Sequence, residues 1–289
     1  MANTFNTGVY PQEWMIRLQQ RLDAPINWKE VADVTYSNTQ IFNVPYMATE
    51  FVIQTGTRGT AYGFSDFTLT NNTLTINTYK PVPVFIDRAD LAQCQYATQM
   101  ETADRQGSVV NEQVESAMLA DHASWTNFGD TGGGVLGLAA TTFTVSATNI
   151  PAVVRGLRRE VVKANGADYL SKNGLFIIWR AADFEFLEQF AQNNGFQLAD
   201  TALKSGLPYG TGYFFLGAYH YVSTKHTANH LFAGVRKLYR IGILKETYGQ
   251  IVVTQDPNLQ SGIGIISRVD YGLLTPTVAL PLLFDVNVV

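Results

Sequence analysis

The 289-residue chain can bury a large core as one domain or two, but its formal net charge of −4 argues against tight wrapping of nucleic acid, which needs a basic face to neutralise phosphates. Hydrophobic residues make up an ordinary 46%, whereas charged residues reach only 15%, well under the usual share, so part of the surface is expected to be covered by other copies of the chain. Cys94 is the single cysteine, which excludes a disulfide framework and a cysteine zinc cluster.

The opening "MANTFNTGVYPQEW" lacks the basic-then-apolar pattern of a signal peptide. No apolar run approaches the ~18 residues of a membrane span, so a soluble protein made in a cytoplasm, with no membrane partner, is expected. A helix is expected over "PQEWMIRLQQRL", with Trp14, Ile16, Leu18 and Leu22 as its apolar members. It has no hydrophobic partner nearby in sequence, which points to an arm that docks elsewhere. Residues 49–86 are rich in Thr and aromatics and poor in helix formers, as strands are. Two strand-like halves flank Gly56, Gly59 and Gly63, and "TNN" adds a turn signal. Between Thr49 and Tyr79 the only charged residues are Glu50, Arg58 and Asp66. So bare a hairpin risks aggregation and is expected to lie against another subunit.

Asp87 and Asp90 are candidate N-caps for a long helix whose small-residue stripe runs Ala103, Gly107, Val110, Val114 and Ala117, flanked by polar Glu112, Gln113 and Glu115. Such a helix suits lying across a sheet. A Gly-rich loop and a strand follow in "SWTNFGDTGGGVLGLAATTFTVSAT". "NIPAVVRGLRREVVKANG" predicts a helix with Asn149 as cap, Pro151 in its first turn and "NG" as its stop. Leu175–Trp179 reads as a buried strand and Ala182 to about Gln192 as a helix. "LPYGTGYFFLGAYHYVST" reads as a loop and a strand, and "NHLFAGVRKLYRIGIL", "GQIVVTQD", "GIGIISRVDYGLLTP" and "VALPLLFDVNVV" as four more strand regions. The order gives an α+β pattern without a nucleotide-binding βαβ series.

No constellation of chemical residues stands out. Arg180, Asp183, Glu185 and Glu188 crowd the end of the buried strand, where open α/β sheets bind ligands. Capping by Asp183 and an exposed acidic first turn account for them. His226 and His230 share i,i+4 spacing but lack the intervening Glu of a zincin, and His122 and His220 look isolated. Ser205 lacks a G-x-S-x-G frame. The glycines at 129–134 and 210–212 lack the following helix and Lys or Ser of a phosphate cradle. Cys94, among Leu91, Ala92 and Tyr96, reads as a small buried hydrophobe. Neither catalysis nor a cofactor or metal is expected.

The order of elements carries more than any motif. "TLTINTYKPVPVFIDRADLAQ" resembles the return strand of an extended loop entering a spine helix, and "FGDTGGGVLGLAA" the Gly-rich segment after it. "LFIIWRAADFEFLEQFAQNNGFQLAD" resembles an axial-domain strand and helix, and "LYRIGIL" and "GIISRVDYGLLTPTVALPLLF" the closing strands of a peripheral domain. Over roughly residues 30–285 the chain resembles the major capsid protein of tailed bacteriophages. That resemblance implies an arm over 1–44, an extended β-hairpin loop over 45–86 and a peripheral domain with spine helix and Gly-rich connection over 87–150. An axial domain with some peripheral strands follows over 151–255, then closing strands over 256–289. It implies a non-enzymatic shell subunit that forms hexamers and pentamers and encloses phage double-stranded DNA without sequence-specific binding. The virion would be assembled in the host cytoplasm with portal and decoration proteins as further partners.

Trp14, Arg58, Tyr62, Phe64, Phe67 and Lys80 are the inter-subunit contact candidates. Some family members weld subunits through a lysine in the extended loop; here no Lys lies between Thr49 and Tyr79, and Lys80 stands at its base. The Met-led start implies that scaffolding is separate or absent. Two alternatives stay open: an encapsulin-type nanocompartment shell, and, from another class, a soluble α/β hydrolase using carboxylates near Asp183.

Overall fold

The computed structural model describes residues 26–48, 51, 53–61, 63–64, 66–87, 98–128, 144–193, 213–227, 229–254 and 262–288. Its α+β architecture is built on two mixed sheets and a separate two-stranded ribbon. One sheet orders β1 (Asp33–Ser37), β10 (Arg240–Leu244), β12 (Gly262–Leu274) and β11 (Ile251–Thr254), with β4 (Thr78–Asp87) also paired to β12. β12 is the spine of this sheet: β4 pairs with it from Gly262 to Tyr271, while β10 and β11 share its other edge. Pro81 and Pro83 lie in β4, an edge strand, where a missing N–H costs no ladder bond on the open side.

The second sheet orders β5 (Thr126–Phe128), β13 (Leu283–Asn287), β9 (His230–Val235), β6 (Leu175–Arg180), β8 (Ala218–Ser223) and β7 (Tyr213–Phe215). The run "LFIIW" is apolar without alternation because β6 is buried on both faces. Leu175, Ile177 and Trp179 face a cluster completed by α3 (Ile150–Lys163) and α5 (Ala181–Asn193). Phe176 and Ile178 face a second cluster with Val110, Val114 and Met118 of α2 (Thr98–Ala120) and with Ile241, Ile243, Val269 and Tyr271 of the first sheet. β6 is thus the divider between two cores.

α3 puts Ile150, Val153, Val154, Leu157 and Val161 on one buried face, with Arg155 and Arg159 exposed opposite. Its expected cap acts differently: the Asn149 side chain accepts from Ser146 N (2.8 Å) and donates to Thr144 O (2.6 Å), tying the incoming loop rather than the helix. The expected "NG" stop is a Schellman turn. Asn165 sits at φ 60, its N–H reaches Val162 O and that of Gly166 reaches Val161 O. A short helix not anticipated from sequence, α4 (Ala167–Asn173), follows.

α2 lies across the first sheet as expected, fastened by Gln106, which donates to Val82 O of β4 and Ile265 O of β12 at 2.8 and 2.9 Å. Val110 and Val114 of the anticipated stripe are buried, and the buried side extends beyond it to Met118, Leu119, Glu115 and Glu112. Glu115 accepts from the backbone N–H groups of Asn27 (3.1 Å) and Trp28 (2.8 Å), at the start of the single-turn helix α1 (Trp28–Val31). The Lys237 ammonium donates to Ala32 O at the other end. One turn of helix does not stand alone in water; here both ends are held by distant side chains. Residues 28–37, expected within the arm, are accordingly built into the body: Trp28 and Val31 are fully buried and β1 pairs with β10. The helix expected over "PQEWMIRLQQRL", Asp90, Cys94 and the Gly-rich segment lie outside the described residues. "SWTNF" contributes β5, before that segment rather than after it, and "YFFLGAYHYVS" forms two strands, β7 and β8. Among the described residues no helix is long and apolar enough to cross a membrane.

Candidate functional site

The expected hairpin forms, but with a different outbound strand. β2 (Ile41–Met47) pairs antiparallel with β3 (Leu69–Thr75), from Ile41↔Thr75 to Met47↔Leu69, and the described residues between 51 and 67 hold no strand. Ala48 N to Thr68 O and Ile76 N to Gln40 O extend the ladder by a step at each end. "TNN", read as a turn, is the middle of β3: Asn71 faces Pro45, and Asn72 accepts from the Thr277 hydroxyl at 2.9 Å. The actual turn is at Arg58–Gly59, where Thr60 N reaches Thr57 O and Gly59 takes φ +89, as the third residue of a type II turn requires.

The two faces of this ribbon have opposite fates. Phe42 and Leu74 pack with Ile76, Leu244 and Leu274 in a small cluster at its base. The seat is cut by two glycines that face each other across β10 and β12, Gly242 and Gly272. A Cβ at Gly242 would meet Leu74 at 2.4 Å, and one at Gly272 would meet the Thr75 carbonyl oxygen at 2.2 Å. Away from the seat no described residue covers the apolar side chains. Ile53 is 97% exposed and Phe64 98%; Ile41, Met47, Phe51, Phe67 and Leu69 are exposed as well, Phe51 against Phe67 at 6.5 Å. A large exposed apolar stretch of this kind marks a protein contact or an aggregation hazard.

Of the expected contact residues, Phe64, Phe67 and Arg58 lie on this segment and are exposed. Lys80 is also exposed, but in β4 opposite Val269, away from the turn. Trp14 and Tyr62 lie outside the described residues. The distribution of charge matches the sequence reading, since Arg58 and Asp66 are the only charged residues among the described positions from 51 to 79.

At the junction after β6 the Asp183 carboxylate is engaged within the fold. Asp183 is buried in the first turn of α5, and the Arg180 guanidinium occupies both its oxygens, the second bond being 3.0 Å. Asp183 therefore pairs with the strand end, a correction to the expected backbone cap, while its charge still suits the helix N-terminus. His220 is fully buried and neutral. Its Nδ1 accepts from Trp179 Nε1–H at 2.8 Å, Nε2–H donates to Phe215 O at 3.0 Å, and burial pushes its pKa down to about 4. Burial likewise raises the Glu115 carboxyl, against the lowering effect of its hydrogen bonds from Asn27 and Trp28. His226 and His230 do not act as a pair. His230 instead stacks on His122, which the sequence left isolated, with ring centroids 4.0 Å apart, and both meet Asp285.

No protein-family model matches the chain, and no curated protein matches its sequence. Solved structures do. A chain of Mycobacterium phage Che8 aligns with a TM-score of 0.72 at 14% identity, over 97% of this chain and 98% of that one. A chain from the capsid of an empty GTA particle gives 0.68 at 14%, over 98% and 96%. One from the capsid of Ralstonia phage GP4 gives 0.67 at 8%, over 99% and 98%. Sequence identity this low, with coverage this complete, is a statement about architecture: the chain has the tailed-phage capsid fold.

Proposed function

We propose that the chain is a structural shell subunit, assembling with copies of itself into the hexamers and pentamers of an icosahedral head that encloses double-stranded DNA. The observation that carries this is the end-to-end fold likeness to phage and GTA-particle capsid chains. The hairpin supports it independently, because its exposed apolar residues need a surface that the described residues do not supply. A neighbouring subunit supplies one. Contacts of one patch against a different patch close into rings, and several modest contacts per subunit hold a closed shell together. The acidic balance suits a shell that contains DNA without adhering to it. On this reading the chain is a virion component rather than an enzyme, assembled in the host cytoplasm alongside portal, decoration and any scaffolding proteins.

The test is electron microscopy of the full chain expressed alone, with its size-exclusion profile. Closed icosahedral particles or capsomer rings are expected. A monodisperse monomer, unchanged by concentration or by co-expression with its neighbouring head genes, contradicts the proposal.

A further inference from the structure

Three ligand-type side chains, far apart in sequence, converge on one point at the junction of α2 with the six-stranded sheet. His122 stands in the single 3-10 turn Asp121–Ser124 that ends α2. His230 opens β9, and Asp285 is the middle residue of β13. In the β9–β13 register Asp285 faces Phe232 and Asn287 faces His230, so His230 and Asp285 are diagonal neighbours on one side of the sheet. His122 arrives from outside the sheet and lays its ring over that of His230, 4.0 Å away and inclined by 24°.

Both histidines present the same atom to the same carboxylate. His230 Nδ1 lies 2.9 and 3.0 Å from the two Asp285 oxygens, and His122 Nδ1 lies 3.2 Å from Oδ2. All the ligand atoms fall within 4.8 Å of one another. A metal bound through imidazole nitrogen and carboxylate oxygen at about 2.0–2.2 Å holds adjacent ligand atoms about 3–3.5 Å apart, close to the nitrogen-to-oxygen separations here. We propose that His122, His230 and Asp285 form a binding site for one divalent first-row transition cation of the zinc class.

The donor set decides the class of ion. Two imidazole nitrogens and one carboxylate suit zinc, cobalt or nickel, whereas magnesium and calcium prefer oxygen donors throughout. In the bound state the imidazoles contribute no charge and the carboxylate contributes one negative charge toward the cation. The carboxylate side chain is only 7% exposed, while the imidazoles are 24% and 26% exposed. The anchor is therefore buried, and solvent reaches the remaining coordination positions, where water completes the shell.

The turn that brings His122 to the sheet is held in place before any ion arrives. The turn carrying His122 is pinned on one side by Tyr239, whose hydroxyl donates to Asp121 at 2.7 Å, and by Ser124, which bonds Asp121 O and Thr275. On the other side Trp125 is wedged among Phe176, Phe232 and Tyr239, with ring centroids 4.5–6.2 Å away. A bound ion would fasten the end of the long helix to the two strands of the sheet, across the cluster that joins the two sheets.

Cobalt(II) is the direct probe, because its visible absorption reports nitrogen and oxygen ligation whatever the stability of the chain. Titration of the metal-free full-length chain should give absorption bands saturating at one cobalt per chain and displaced by zinc. Zinc should also raise the thermal midpoint, and a chelator should reverse it. His122→Ala, a change in a partly exposed turn, should weaken cobalt binding by roughly tenfold or more, and Asp285→Asn should abolish the bands. Absence of bands in the parent chain, or an equal response in His122→Ala, overturns the proposal and leaves a hydrogen-bonded clasp.

Discussion

β6 and the hairpin are both apolar, strand-forming stretches of one chain, yet they solve opposite problems. In β6 the five residues from Leu175 to Trp179 are buried on both faces by the chain's own elements. Among the described residues only the base of the hairpin is covered, by Leu244 and Leu274, and the apolar side chains beyond it are exposed. Hydrophobicity alone therefore does not say where a segment lies. What differs is where its partners are: within the chain for β6 and, on the proposed function, on a neighbouring copy for the hairpin.

Two substitutions or conditions should strike the self-contained side of this contrast hardest. Trp179→Ala removes a fully buried indole between α5 and the sheet and leaves His220 Nδ1 without its donor. A loss of about 3–5 kcal/mol is expected, read as a lower midpoint in urea denaturation of the subunit; a change under about 1 kcal/mol would break the picture of β6 as the divider of two cores. Acid acts on the same region. The folded-state pKa of His220 is pushed to about 4 from an ordinary 6.5, so between these values the unfolded chain binds the extra proton. Stability linked to this group is complete above 6.5 and is lost as pH falls toward 4, on the order of 3 kcal/mol in all. His226, also pushed to about 4 by burial, adds to the slope. His220→Gln, which cannot take up the proton, should flatten the pH dependence of the denaturation midpoint; equal slopes in both proteins would contradict the buried neutral ring.

Local pattern was legible in the sequence and long-range partnership was not. β6, α5, the long helix and α3 with Pro151 in its first turn all announce themselves by period, length and turn residues. The hairpin was legible in kind but misplaced in register. "TEFVIQT" has strand composition, but the partner of β3 is "IFNVPYM", and the Asn pair read as a turn is held extended by cross-strand pairing and by Thr277. The β7–β8 turn was hidden because Leu216, an unusual residue at φ 52, shares it with Gly217. Glu115 looked like a solvated flank of its helix; its role depends on the Asn27 and Trp28 amides, 88 and 87 residues away. The His122–His230–Asp285 cluster left no spacing signal at all, since the pairs bonded through Asp285 are 163 and 55 residues apart.

The smallest expected effect on the subunit is also the most informative for the whole. Phe64 is 98% exposed, so Phe64→Asp removes almost nothing from the isolated fold, and stability should stay within about 0.5 kcal/mol of the parent. In a shell the same change places a charge where a neighbour's surface should cover the ring. The decisive measurement is electron microscopy of the parent chain and Phe64→Asp side by side, each checked for its denaturation midpoint. Closed shells from the parent, and folded but dispersed subunits from the variant, are the predicted result. Normal shells from both would contradict the account of the hairpin as the surface through which subunits hold one another.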